Sequence, residues 1–272
     1  METVHKALYL FCLARSNLIG EVAGIDLDGH PPVWVFRHHP DLCAIVSEVL
    51  EEDYCGRAAE LHMQDLTWVG PRALWHETVV EEVMRHSPVL PARLGTLFSS
   101  PERLAEFLDN HRAVISEFFE RVADQEEWSV RGLLDRRQAG QALSSTRLAE
   151  QETQLAALPP GTRYFREQRI RQTSEKELSL WLKETYRQVA SDLMKSASDF
   201  RECRVVPFER PESGIEVVLN WALLVPRDAT AALRSRIDQL NAHHAPEGLA
   251  FGLSGPWPPY RFVPPLPMAG AP

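Results

Sequence analysis

Several arrangements in this sequence bring together residue types that could do chemistry. His76-Glu77 begins like H-E-x-x-H, in which two histidines one helical turn apart hold a zinc ion and the glutamate activates water. Position 80 is Val80, so the second ligand is missing, and the dipeptide is expected to decorate a polar helix face. Gly252-Leu253-Ser254-Gly255 starts like a nucleophile elbow, but Pro256 stands where the closing glycine belongs. Ser254 is therefore expected in a turn. His38-His39 and His243-His244 are adjacent pairs, which in a strand point to opposite faces and do not easily share a metal; both are expected to decorate loops or element ends. Carboxylates cluster at Glu51-Glu52-Asp53, Glu81-Glu82 and Glu126-Glu127 without a base or nucleophile spaced to use them. Neither G-x-x-x-x-G-K-[ST] nor G-x-G-x-x-G occurs, so no phosphate cradle is expected. The residues predict no catalytic set, no cofactor and no metal.

Composition narrows the partners. The 272 residues are 44% apolar and 25% charged, a globular balance, and 29 Lys plus Arg against 38 Asp plus Glu leave a net charge of −9. That acidity disfavours nucleic acid or an anionic membrane as the main partner. The basic stretch RYFREQRIRQ, 163–172, spreads its arginines around a helix and is followed by acids within helical reach, which reads as surface charge pairing. No run approaches the roughly 20 apolar residues of a membrane span, and the N-terminal METVHKALYLFCLARSN reads as a strand rather than a signal peptide. Cys12, Cys43, Cys55 and Cys203 are scattered, the pattern of reduced thiols in a cytoplasm.

The elements that would position these groups can be read from periodicity. Residues 6–13, KALYLFCL, predict a strand buried on both faces, and 33–36 and 42–49 predict two more. Gly70-Pro71 should open a helix with Leu74, Trp75, Val79, Val80 and Val83 along one stripe. Ser100-Pro101-Glu102 is a helix start, ahead of Leu104, Phe107, Leu108, Ile115, Phe118, Phe119 and Val122 at helical spacing. The strand EWSVRGLL is expected to complete an N-terminal unit. A helical stretch at 138–158 stops at Pro159-Pro160-Gly161, and a longer helix runs to about residue 200. Cys203–Phe208 and Ile215–Val225 suggest a strand pair joined by a turn at 209–214, with strict alternation in the second strand. Asp228 should cap a helix, and Leu249, Phe251 and Leu253 mark the last strand. The fold class expected is α+β, with an N-terminal α+β domain at 1–137 and a helical connection at 138–160. A ferredoxin-like domain with a long helix at 161–254 and a Pro-rich tail at 255–272 complete it.

Five stretches, taken together and in order, resemble the gas vesicle protein F/L family (GvpF/GvpL). ALYLFCL, followed by Gly20 and Gly24, resembles its opening strand, and VLPARLGTLFSSPERL, 89–104, is similar to its "PLRFGT-F" segment leading into a helix. EEWSVRG, 126–132, is similar to its "EW-V+" strand and RYFREQR, 163–169, to its "YL-+++" helix start. GPWPPYRF, 255–262, resembles its C-terminal "TGPWPPYSF", with Ser254 for threonine and Arg261 for serine. Ala92 and Leu94 stand where the family has larger or aromatic residues.

The resemblance implies two α+β domains, the second ferredoxin-like. It also implies a non-catalytic accessory factor of gas vesicle formation that engages the small hydrophobic shell protein (GvpA), limits its aggregation during nucleation and remains a minor vesicle component. Other gas vesicle accessory proteins would be further partners, and the location cytoplasm and gas vesicle. A ferredoxin-like small-ligand sensor or an enzyme of unknown substrate is the alternative reading. The candidate partner-contact or interdomain residues are Arg93, Gly95, Thr96, Trp128, Trp257, Pro258, Pro259 and Tyr260. Gly95 is expected to take an unusual backbone conformation and Arg93 to pair with an acid. Pro258-Pro259 should hold an extended polyproline segment that lays Trp257 and Tyr260 along the protein as a clasp between its halves.

Overall fold

The computed structural model describes residues 5–20, 30–150, 152–205 and 214–266. Contacts divide the chain into two compact units, residues 1–125 with 257–272, and residues 126–256.

The first unit is built on β1 (Lys6–Ala14), whose residues are all buried after Lys6. Beside it lie β2 (Val33–Arg37), β3 (Cys43–Leu50), β4 (Val89–Pro91) and β5 (Leu97–Phe98), in the order β2-β3-β1-β4, with β5 also on β1. All of these pairings are antiparallel. The β1–β3 register slips between Leu10 and Cys12, so Phe11 is an inserted residue. An insertion reverses the side-chain alternation. That is how Ala7, Tyr9 and Phe11 share one core with Cys12 and Ala14.

Helix α1 (Gly56–His62) is short; α2 (Leu66–Met84) lays Trp75, Val79, Val80 and Val83 into that core. α2 begins before Gly70-Pro71 because Asp65 caps it, accepting from the Thr67 N–H at 2.9 Å. Pro71 thus sits inside the helix rather than at its start. α3 (Pro101–Val122) starts as expected, with Ser100 accepting from the Arg103 N–H, and it packs on β4 and β5.

The second unit holds β6 (Gln125–Asp135), β7 (Asp199–Glu202), β8 (Ile215–Pro226) and β9 (Leu249–Trp257), in the sheet order β7-β8-β6-β9. EWSVRGLL therefore belongs to this sheet and does not complete the first; strand partnership is non-local, and the local pattern of β6 does not encode it. Between the strands come α4 (Arg136–Glu150), α5 (Glu152–Ala156), α6 (Pro160–Leu193) and α7 (Thr230–His244). Trp128, Val130, Leu178, Val189, Leu193, Trp221, Leu223, Ile237 and Phe251 fill the core. α6 ends at Leu193, short of residue 200, and β7 precedes rather than includes Cys203. Residues 206–208 of the expected strand, and 209–213 of the expected turn, lie outside the described residues, as do Gly24 and the end of the tail from 267. Asp228 sits in a 3-10 turn before α7 and gives it no side-chain cap. β9 continues through Ser254 to Trp257, so Ser254 is a strand residue rather than a turn residue.

Candidate functional site

The segment between β4 and β5 never leaves β1. Phe11 accepts from the Ala92 N–H at 2.9 Å and the Leu10 N–H donates to the Thr96 carbonyl at 2.9 Å, so residues 92–96 form a short excursion from an interrupted strand. The excursion closes as a turn in which the Arg93 carbonyl accepts from the Thr96 N–H (3.1 Å) and Oγ1 (2.7 Å). Gly95 has φ +82°, and a Cβ there would lie 3.2 Å from Met63 Cε. Both facts favour glycine.

Beneath the turn runs a chain of hydrogen bonds with a fixed direction. The Gly95 N–H donates to Tyr9 Oη (3.4 Å), and the Tyr9 hydroxyl donates to His76 Nδ1 (2.8 Å). His76 Nε2–H then donates to the Ala92 carbonyl (3.1 Å). A carbonyl can only accept, so Nε2 carries the proton, and Nδ1 is left to accept. The chain is complete only with neutral imidazole, and burial lowers the His76 pKa to about 4. Burial also pushes the Tyr9 hydroxyl well up. His76-Glu77 is therefore not polar decoration of a helix face. His76 is 4% exposed and wedged against Tyr9 and Phe11, while Glu77 is half-buried.

Glu77 receives the C-terminal segment. Tyr260 Oη donates to Glu77 Oε2 at 3.0 Å. Burial raises the Glu77 pKa against the lowering effect of this bond, and raises that of Tyr260, which the neighbouring carboxylate raises further. Pro258 and Pro259 are buried, but they do not hold an extended polyproline segment. The Tyr260 N–H donates to the Pro258 carbonyl (2.7 Å) and the Phe262 N–H to that of Pro259 (3.1 Å), a turn that buries Phe262. Proline fixes φ and leaves ψ free, so paired prolines allow a turn as readily as an extended run.

These two segments enclose a cleft of about 790 Å³, lined by Arg93, Leu94, Gly95, Thr96 and Tyr260 together with Val263–Leu266. Four of the sequence-predicted residues thus meet: Arg93, Gly95, Thr96 and Tyr260. Arg93 is exposed and makes no ion pair among the described residues, in contrast to the acid partner expected for it. Trp257 lies at the end of β9 and is 39% exposed. Trp128 lies elsewhere, in the second unit's core, 2% exposed, with Arg234 stacked 4.5 Å above its ring and Nε1–H donating to Glu126 Oε2. Tyr9, His76 and Glu77 went unrecognised as supports of this cleft. Their signal was the H-E pair on the apolar stripe of α2, read as chemistry or surface and not as polar anchorage.

The family model "Gas vesicle synthesis protein GvpL/GvpF" matches residues 7–264. The chain belongs to this family. Gas vesicle protein L1 of Halobacterium salinarum is 29% identical over 276 residues, covering 97% of this chain and 92% of that protein. Gas vesicle protein L of a Streptomyces species is 24% identical over 240 residues, covering 87% and 85%. The fold is similar to crystal structures of GvpF from Anabaena sp. (TM-score 0.66, 22% identity, 95% of this chain and 98% of that one) and from Microcystis aeruginosa (0.63, 20%, 96% and 100%). In this GvpL/GvpF chain the cleft is lined from two of the five stretches behind the resemblance, 89–104 and 255–262, and from residues 263–266. No helix among the described residues is long and apolar enough to cross a membrane.

Proposed function

We propose that this GvpL/GvpF protein is a non-catalytic gas vesicle assembly factor that binds the hydrophobic shell protein GvpA, limits its aggregation during nucleation and stays with the vesicle as a minor component. The observation that carries this reading is the family match over residues 7–264. The relatives' names describe gas vesicle proteins and none names a reaction. A wall that excludes water must present apolar surface, and such surface aggregates unless covered.

The cleft of the first unit is the contact site in this proposal. It combines apolar lining from Leu94, Val263 and Leu266 with the exposed cation of Arg93 at its rim, a combination that suits an apolar segment bearing an acid. We read the second unit as a ferredoxin-like module, supported by its strand–helix–strand–strand–helix–strand order and the sheet order β7-β8-β6-β9. The cytoplasmic placement read from the sequence belongs to the same proposal; the module takes in β6, so it starts before the residue 161 read from the sequence.

Co-expression with GvpA, without other vesicle proteins, tests the reading. Co-purification and a larger soluble GvpA fraction are expected, and R93E should reduce both while leaving the melting temperature within about 1 °C, as expected for an exposed residue. GvpA that is equally insoluble with and without the chain would refute the function. Undiminished binding by R93E would refute the site.

A further inference from the structure

The first unit contains a cluster that the assembly reading does not use. β2 ends at Arg37, and His38 and His39 follow in a bend, outside the strand alternation that would send their side chains apart. Both rings turn towards α3. His38 Nε2 lies 3.0 Å and His39 Nε2 2.9 Å from the same oxygen, Asp109 Oδ1, and the two ring centroids are 4.6 Å apart. The pair lies at an element end, as expected, and there the alternation of a strand no longer parts the two rings.

We propose that His38, His39 and Asp109 bind a divalent first-row transition ion, zinc being the representative, through two imidazole nitrogens and one carboxylate oxygen. The three ligand atoms lie within 4.8 Å of one another. Around a tetrahedral ion with bonds of about 2.0–2.2 Å, ligand atoms stand roughly 3.3 Å apart, so small rotations suffice to close the site. Two imidazoles and a carboxylate select zinc, copper, nickel or iron over magnesium and calcium, which prefer all-oxygen shells.

The cluster is incompletely satisfied by its own hydrogen bonds. His39 Nε2 is shielded from solvent and finds no properly angled hydrogen-bond partner, despite its short distance to Asp109. Ion binding would use that nitrogen's lone pair, with both rings carrying their proton on Nδ1. The surroundings fix the loop after β2 against α3. The His39 N–H donates to the Leu42 carbonyl (3.3 Å), and Arg112, one turn after Asp109 on α3, grips Asp41 through Nη2 (2.9 Å) and Nε (3.4 Å). Asp41 thereby offsets the Arg112 charge that would otherwise oppose a cation. These contacts fasten the loop that carries both histidines to the helix that carries Asp109. The remaining coordination positions face solvent, since Asp109 is 54% exposed.

The test uses the untagged full chain with Co²⁺ and Zn²⁺ as probes. Calorimetry is expected to give one site with a Kd on the order of 1–10 µM, and Co²⁺ to give the intense visible absorption of a low-coordinate complex. H38Q, H39Q and D109N should each weaken binding by about tenfold or more, while H243Q/H244Q, which alters the other histidine pair, should not. In the unmutated protein, substoichiometric Co²⁺ should broaden the ring signals of His38 and His39 before those of the other histidines, which keeps the test decisive if a variant fails to fold. Absence of binding at 100 µM metal, full affinity in D109N, or first broadening at other histidines would each overturn the proposal.

Discussion

Neutral His76 at the centre of a one-directional hydrogen-bond chain predicts a specific acid sensitivity. The ordinary histidine pKa of 6.5 falls to about 4 in the folded state, chiefly through burial. Between those values the unfolded chain binds a proton that the folded protein excludes. Stability is therefore complete above pH 6.5, declines as pH falls through this window and levels off below about 4. The full change corresponds to about 3 kcal/mol, of which about 2.5 kcal/mol is lost between pH 7.5 and 4.5. H76Q supplies the comparison, because a glutamine amide can also donate to the Ala92 carbonyl and accept from the Tyr9 hydroxyl, but does not titrate. It should be less stable than the parent at pH 7.5, by about 1–2 kcal/mol for imperfect geometry and lost ring contacts. That deficit should vanish or reverse by pH 4.5. Amide hydrogen exchange in the peptides covering β1 and α2, corrected for intrinsic rates, reads this stability without requiring the whole chain to unfold in one step. Parallel pH profiles for the two proteins would refute the assignment of a neutral, Nε2-protonated His76.

Three other perturbations follow from the same contacts. G95A should cost about 1–2 kcal/mol and lower the melting temperature by a few degrees, because its φ of +82° and the nearby Met63 both oppose a Cβ; an unchanged melt would count against the turn. Y260F should cost about 1–2 kcal/mol and move the Glu77 pKa further up, since the hydroxyl's bond is what lowers it, and carboxyl titration by NMR checks the direction. W128A should cost about 3–5 kcal/mol as a cavity in the second core, measured as faster exchange in β6 and β8; an effect within 1 kcal/mol would show the indole to be dispensable.

Much of the architecture could be read from local pattern. The apolar run KALYLFCL marked the central strand, the alternation from Ile215 to Val225 marked β8, and Ser100-Pro101 marked the start of α3. Each of these signals lies in the residues that form the element. What failed depended on residues far away. β6 gives no local sign of which sheet it enters, and the inserted Phe11 reveals itself only against the register of β3. The candidate cleft was half legible: two segments that line it were singled out by the family resemblance, but the docking of the C-terminal one rests on Tyr260 finding Glu77, a pairing 183 positions apart. His38-His39 lies at an element end, as expected, but where its rings turn depends on the bend after β2 and on α3, which the local pattern does not encode.

The interruption of the strand opposite β3 also governs how this molecule can behave in company. A β-sheet border with a free ladder of N–H and C=O groups recruits strands from other chains. Here that border is two pieces of three and two residues, parted by the excursion that carries Arg93, and the other border is the five-residue β2. In the second sheet, one border is the four-residue β7 and the other carries Pro256, which has no N–H to offer. With such borders the protein is poorly suited to act as a template for β-aggregation of other chains.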